Sequence, residues 1–472
     1  MIIRSITFLA LVLISLTSIG QETELTLSDA VMQQYRKFAP TSLIMFKWIP
    51  NSNEYSYLSS NYQLLMKASI KETEGKELVS IQEVNTALSA EFNWFSGMSW
   101  KNENEFWLNN GQNFYTYDAS KGTGKLLHAL SDDSENASFH EGSENLAYTR
   151  KNNIYLSSSI GVKVVVTDNA DENIVSGQAI ARSEFGITNG LFWSPDGQSL
   201  AFYEKDESRV HDYPLLDVTE TPGTVEFIKY PMAGQSSEVA RLGIYDLATR
   251  KTVFIKTKHG PENYLTNVSW TPDNNFVVVA EVHRTQNHMW LQVYDAKSGK
   301  FVRTLFEETN DRWVEPEHPA FFPNESSNNF VWISEKGGFN NLYYYDFEGR
   351  LIKQLTDHKF VVKDIMEFNN GNLFYTTTGE TSPLETHVYF VDLKGKNKIL
   401  TRAGGTHSVA IKSDGKYFHD QFSSHKDVGE DWIIDLRGKI VTKLNSARTV
   451  LDEYKIGTAE IGTITAKDDT KL

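Results

Sequence analysis

The stretch Leu191-Phe192-Trp193-Ser194-Pro195-Asp196-Gly197 decides how the chain is read, because it recurs. Related phrases stand at Phe46-Lys47-Trp48-Ile49-Pro50-Asn51, Val268-Ser269-Trp270-Thr271-Pro272-Asp273 and Phe321-Phe322-Pro323-Asn324, with eroded copies at Trp100, Phe139, Phe368 and Ile411. After them come alternating apolar runs such as Ser199-Leu200-Ala201-Phe202-Tyr203. Second runs end in turn residues, as in Leu342-Tyr343-Tyr344-Tyr345-Asp346 before Glu348-Gly349. Period-two alternation marks strands, and Pro-Asp or Gly steps mark the turns between them. A repeat of roughly fifty residues in an all-β pattern points to a β-propeller, where each small antiparallel sheet buries its two faces only against its neighbours. The starts at Trp48, Trp100, Phe139, Trp193, Trp270, Phe321, Phe368 and Ile411 predict an all-β, eight-bladed β-propeller of four-stranded sheets, with seven blades as the alternative. The aromatic at each start is expected to fill the wedge between blades, a role ranked above ligand stacking for Trp193 and Trp270.

Radial repetition also explains the length, since 472 residues is long for one compact core. Hydrophobic residues at 40% and aromatics at 12% suffice for a buried interior. With 46 basic and 61 acidic residues the formal net charge is −15, which argues against nucleic acid or an anionic membrane surface and suits an amine-bearing ligand. Residues 1–20 read as a secretory signal peptide: Arg4, an apolar run over 6–16, then Ser18-Ile19-Gly20. The alternative is an uncleaved anchor. The signal-peptide reading predicts an exported chain, periplasmic or extracellular, with no membrane association after cleavage. The chain contains no cysteine, hence no disulfide and no thiolate site. No phosphate-binding glycine loop, Walker pattern or calcium-loop spacing occurs, so neither cofactor nor metal is expected.

Helical periodicity is nearly absent after Ser28-Asp29-Ala30-Val31-Met32-Gln33-Gln34-Tyr35-Arg36. One interval breaks the rhythm: Trp193 to Trp270 is 77 residues, against about 40 to 55 elsewhere. The excess lies between Arg209 and Met232 and contains Pro214, Pro222, Gly223 and Pro231. It is expected to form a loop or hairpin on one face, where insertions meet partners, with Tyr213, Phe227 and Tyr230 as apolar content to bury. His283 and His288, five apart on a presumed strand and turn, would fall on opposite faces, which favours a structural role over a shared metal. The acidic doublets Asp132-Asp133, Glu307-Glu308 and Asp468-Asp469 read as solvated turns, and nothing singles out Glu204-Lys205-Asp206-Glu207.

A longer ordered series carries a family likeness. It comprises Phe192-Trp193-Ser194-Pro195-Asp196-Gly197-Gln198-Ser199-Leu200-Ala201-Phe202-Tyr203, Asp206-Glu207-Ser208 with Asp212-Tyr213-Pro214, Lys229-Tyr230-Pro231-Met232-Ala233-Gly234 and Ile244-Tyr245-Asp246-Leu247-Ala248. It continues with His283-Arg284-Thr285-Gln286-Asn287-His288, Phe330-Val331-Trp332-Ile333-Ser334-Glu335, Thr381-Ser382-Pro383-Leu384-Glu385 and Gly405-Thr406-His407-Ser408. In this order, from about Leu27 onward, the series resembles the N-terminal propeller of dipeptidyl peptidase IV, a branch of the prolyl oligopeptidase family of serine peptidases, with a bacterial flavour. The resemblance implies an eight-bladed propeller that caps an α/β-hydrolase domain and gates it. It implies a peptide substrate whose free N-terminus is held by acidic side chains. It also implies a homodimer built partly through the insertion between Arg209 and Met232.

The likeness places the family's paired glutamates on Ser183 and Glu184, within Ala181-Arg182-Ser183-Glu184-Phe185-Gly186. Only the second carboxylate is present, and serine brings no charge to an ammonium. The arginine that holds a substrate carbonyl in the family falls on Ala129, with Arg182 the nearest substitute. No Gly-x-Ser-x-Gly occurs in the 472 residues, so no catalytic residue is assigned. The resulting division is a signal peptide over 1–20, an N-terminal segment over 21–45, the propeller over 46–450, and over 451–472 the start of a truncated hydrolase domain. The principal expectation is the propeller domain of a dipeptidyl-peptidase-IV-like exopeptidase. The alternative is a non-catalytic peptide-binding or protein-interaction propeller.

Overall fold

The repeated phrase is a turn with its own hydrogen-bond logic. The Ser194 hydroxyl donates to the Asp196 carboxylate at 2.6 Å and accepts from the Ser199 N–H at 2.9 Å. Thr271 repeats both contacts with Asp273, at 2.6 Å, and with the Phe276 N–H, at 3.0 Å. The side chains thus replace the backbone partners that a tight reversal leaves unmet. Seven of the eight aromatic or apolar starts sit on the first strand of a hairpin series: Ile44–Trp48, Ser99–Trp100, Ser134–His140, Leu191–Trp193, Tyr264–Trp270, Val362–Asn369 and Thr406–Ile411. Phe321 forms an isolated antiparallel bridge with Val331.

A computed structural model of the chain describes residues 23–323, 326–457 and 460–472; the expected signal peptide and Asn324 lie outside them. The described chain is nearly all β. Four-stranded antiparallel sheets cover 44–80, 99–129, 134–165 and 264–309. A five-stranded sheet covers 174–254, where strand Ser199–Asp206 pairs with Ile174–Ser176, Leu191–Trp193 and Val239–Asp246. Three strands follow over 329–354, and an eight-stranded sheet over 362–446 is joined across its middle by the single parallel pair Thr386 and Thr406. Short segments near the two chain ends, Thr23–Glu24 and Tyr454–Lys455, pair in parallel.

Indole N–H groups link one sheet to the one before it. Trp100 donates to Ser56 Oγ at 2.9 Å, Trp193 to the Ser138 carbonyl at 3.0 Å, and Trp270 to the Phe192 carbonyl at 3.0 Å. Trp48 closes the series by donating to the Ala410 carbonyl at 2.9 Å, between the first and last sheets. At the same seam Phe46 stacks on His419 at 3.8 Å, and Asp431 receives His419 at 3.0 Å and the Leu43 N–H at 3.3 Å. The Thr442 hydroxyl reaches the Ile70 carbonyl at 2.6 Å. First sheet on last gives the closed radial arrangement of a β-propeller.

Antiparallel strands return the chain to its starting face, so links between second and third strands share that face with the sheet-to-sheet links. In the first three sheets these loops are short, at 59–63, 110–112 and 151–152. In the later sheets they run 207–238, 283–287, 335–340, 379–385 and 424–429, of which 207–238 is far the longest. The opposite face carries turns such as 194–198 and 247–250, none approaching 207–238 in length. One face therefore holds the longest loop together with the sheet-to-sheet links.

Several sequence expectations are corrected. A helix, Ile81–Leu88, was not anticipated, although a capping box of Ser80 and Glu83 starts it and Ile81, Val84 and Leu88 supply a buried stripe. The N-terminal helix covers only Leu27–Met32; none of its side chains is buried, so packing does not extend it. His283 and His288 are not on opposite faces, because the chain reverses between them and the His283 N–H donates to the His288 carbonyl at 2.8 Å. Glu307 and Glu308 lie on strand Phe301–Thr309 rather than a solvated turn, and burial pushes the Glu308 carboxyl up. The insertion is a hairpin, Asp212–Asp217 paired with Thr224–Lys229. Its Tyr213, Phe227 and Tyr230 stay 37%, 64% and 43% exposed, so this chain does not bury them.

Trp48→Phe keeps an aromatic ring at the seam but leaves the Ala410 carbonyl unpaired, a loss expected to cost about 1 kcal/mol in urea unfolding. Trp313→Phe, at a side chain 50% exposed, should leave the midpoint unchanged. Equal midpoints for the two variants would show that the indole N–H contributes nothing to closure.

Candidate functional site

The residues singled out as a substrate anchor sit on a backbone that L-amino acids avoid. Ala181, Arg182 and Ser183 have φ of 52°, 52° and 65°, followed after Glu184 by Phe185 at 58° and Gly186 at 69°. Each non-glycine residue in this left-handed region costs about 1–2 kcal/mol, so the surrounding fold must impose the turn. It does so at four points. The Ala181 N–H donates to Glu238 Oε1 at 2.7 Å, and Asn267 Nδ2 donates to the Phe185 carbonyl at 3.3 Å. The Phe185 ring is buried in the core cluster that includes Val282 and Met289, 5.0 Å from Tyr264. Gly186 lies against the 313–317 segment so closely that a Cβ there would fall 2.2 Å from the Glu317 carbonyl oxygen. With Phe185 anchored inward, Ser183 and Glu184 are left exposed.

The same packing brings other carboxylates toward Glu184. Burial, then the charges of Glu317, Glu184 and Glu335, push the Glu315 carboxyl above the ordinary glutamate range. Charges from three loops, 181–186, 313–317 and 335–340, therefore converge on Glu315. Such an arrangement favours a cation and above all an ammonium, which can donate to several carboxylate oxygens at once. Glu315, Glu317, Glu335 and Glu238 were missed in the sequence. A weak signal was present: Glu315-Pro316-Glu317 lies in the link just before Phe321, and this architecture puts sheet-to-sheet links on one face.

The remaining expected residues fall elsewhere. The guanidinium of Arg182 sits 4.9 Å from the Tyr230 ring centroid, tying the turn to the insertion. At Ala129, where the resemblance would put an arginine, the main-chain carbonyl accepts from Lys163 Nζ at 3.0 Å.

Residues 98–428 match the family described as the dipeptidyl peptidase IV (DPP IV) N-terminal region. The chain belongs to that family. Among curated relatives of this DPP IV region, dipeptidyl aminopeptidase B of Saccharomyces cerevisiae is 27% identical over 331 residues, 64% of this chain and 40% of the yeast protein. A crystallised Bacteroides ovatus protein assigned to dipeptidyl aminopeptidase IV superimposes with a TM-score of 0.84 at 27% identity, covering 95% of this chain and 66% of that one. Porphyromonas gingivalis dipeptidyl peptidase 4 gives 0.77 at 21% identity, again over 95% of this chain and 66% of that one, and shares the fold. The chain thus spans two fifths of the yeast relative and just under two thirds of either crystallised chain.

Gly186→Ala should destabilise the protein by about 2 kcal/mol or more, because the new methyl meets backbone and the residue keeps a positive φ. Chemical denaturation measures this, and a wild-type midpoint would mean that the turn yields freely. The raised Glu315 carboxyl gives a pH test. A group raised in the folded state contributes its stability below the unfolded value and loses it as pH rises through the folded one. Glu315→Gln should therefore raise the thermal midpoint at pH 7 and leave it unchanged at about pH 3.5.

Proposed function

We propose that this chain is the eight-bladed propeller region of an exported dipeptidyl-peptidase-IV-like serine exopeptidase, gating access to the site of cleavage and binding the peptide's free N-terminus through Glu184. The blade count rests on dividing the 362–446 sheet at its one parallel pair, Thr386 with Thr406, which gives eight sheets, seven headed by a strand that bears a repeat start and one by the Phe321 bridge. The anchoring role rests on one observation above the others: a strained turn, held at four points, presents Glu184 near enough to Glu315 that its charge, after burial and Glu317, helps push that carboxyl up. A fixed carboxylate at a peptide's first residue measures a set distance to the bond to be cut, which makes an exopeptidase. Peptide binding belongs to this chain and bond cleavage to a Gly-x-Ser-x-Gly machinery that its 472 residues do not carry. The exposed Leu216, Val218, Val225 and Phe227 of the hairpin support a homodimer contact there.

The serine at position 183 favours a second reading, a propeller that binds peptides without serving cleavage. Both readings share the amine anchor, and one binding series tests it. An Ala-Pro peptide with a free N-terminus should bind more tightly than its N-acetyl form. Glu184→Gln should weaken the free peptide about five- to ten-fold, the scale of one hydrogen bond to a charged group. Ser183→Glu should tighten it. An unchanged Kd for Glu184→Gln in titration calorimetry rejects the anchor.

A further inference from the structure

A cavity of about 260 Å³ lies behind the Glu184 turn, and its lining includes Arg209, Arg284, Gln235, Glu238 and Glu262. It shares a wall with the turn twice over. Glu238 is the acceptor for the Ala181 N–H, and Tyr264, which packs on Phe185, also accepts a hydrogen bond from Arg284. Among the described residues no carboxylate lies within ion-pair distance of Arg209 or Arg284, in a chain whose net charge is −15. The amide oxygen of Gln235 is shut off from solvent and has no hydrogen-bond partner among the described residues. Two guanidinium groups without a carboxylate partner, Arg209 and the Tyr264-bound Arg284, thus border a polar recess that also offers one buried acceptor.

We propose that this cavity is a subsite for an acidic peptide side chain. Its carboxylate would be taken by Arg209 and Arg284, and a peptide N–H would serve the Gln235 oxygen. The assignment of the carboxylate to the peptide's first residue rests on the reading of Glu184 as the amine anchor; the anion-binding character of the cavity does not. Guanidinium groups match carboxylate geometry with paired donors. Glu238 and Glu262 in the same lining oppose a group that concentrates two negative charges, such as phosphate, which leaves a singly charged carboxylate group as the one that fits. The subsite gives the anionic face a local preference for substrates that are acidic at one end and carry an ammonium nearby.

Two probes separate this inference from the anchor. Glu-Pro-Ala and Gln-Pro-Ala amides differ only by one charge, and the acidic peptide should bind about five-fold more tightly at low salt, the scale of exposed charge pairs. The preference should vanish in Arg209→Gln/Arg284→Gln and shrink at about 0.5 M salt. In Glu184→Gln both peptides should weaken together with their ratio kept. Glutarate, which has carboxylates but no ammonium, should raise the thermal midpoint of the wild type and not of the double arginine variant. Glutarate stabilisation without peptide binding would remove the anchor and keep the subsite. Equal peptide affinities together with no glutarate response, or a preference that survives loss of both arginines, overturns the subsite.

Discussion

Closure of the ring is the constraint on which the rest depends. A sheet of three or four short strands has two faces and no core of its own, so it is stable only when both faces are covered by other sheets. The indole hydrogen bonds of Trp48, Trp100, Trp193 and Trp270 fix how one sheet sits on the one before it. Each ring fills a wedge of apolar space while its N–H satisfies a main-chain or hydroxyl oxygen at the interface, so packing and polar pairing reinforce each other. The seam between the first and last sheets has no covalent link. It is held by Trp48, by the stack of Phe46 on His419, and by Asp431, which gathers donors from both sides.

Once every sheet face is covered, little of the ring itself is left for recognition. Variable chain is therefore confined to loops, and the return of antiparallel strands puts the longest of them on the face of the sheet-to-sheet links. The Glu184 turn uses the stiffness beneath it. Three left-handed residues in succession persist because Phe185 is buried, Glu238 and Asn267 hold the main chain, and Gly186 leaves no room to relax against Glu317. Strain of this kind orients an exposed carboxylate without covering it. Acidic loops surround Glu184 on one side of that turn, while the cavity behind it mixes two arginines with two glutamates.

The legible and illegible parts of the sequence divide along a physical line. The Ser-Pro-Asp and Thr-Pro-Asp turns were legible because their hydrogen bonds close within five residues, as from Ser194 to Ser199. The helix Ile81–Leu88 carries a local signal too, in Ser80 and Glu83, but one short amphipathic turn is weak beside so many strand runs. His283 and His288 were misplaced because their relation depended on where the hairpin reversed, a matter of cross-strand register rather than spacing. Glu308 looked like half of a surface doublet, yet one residue of strand alternation separates it from exposed Glu307.

By itself the sequence determined the repeat, the all-β class, the strands that carry seven of the eight repeat starts and the place of the insertion, since these follow from local periodicity and turn chemistry, while Glu184 became a candidate only through the family resemblance. Only the tertiary structure decided which residues keep Glu184 company. Glu315, Glu317 and Glu335 come from other sheets and their links, Glu238 and Arg209 from the 207–238 loop, and Arg284 from 283–287. Their convergence is a product of how the sheets pack around the ring, and no spacing along the chain encodes a distance that exists only after closure.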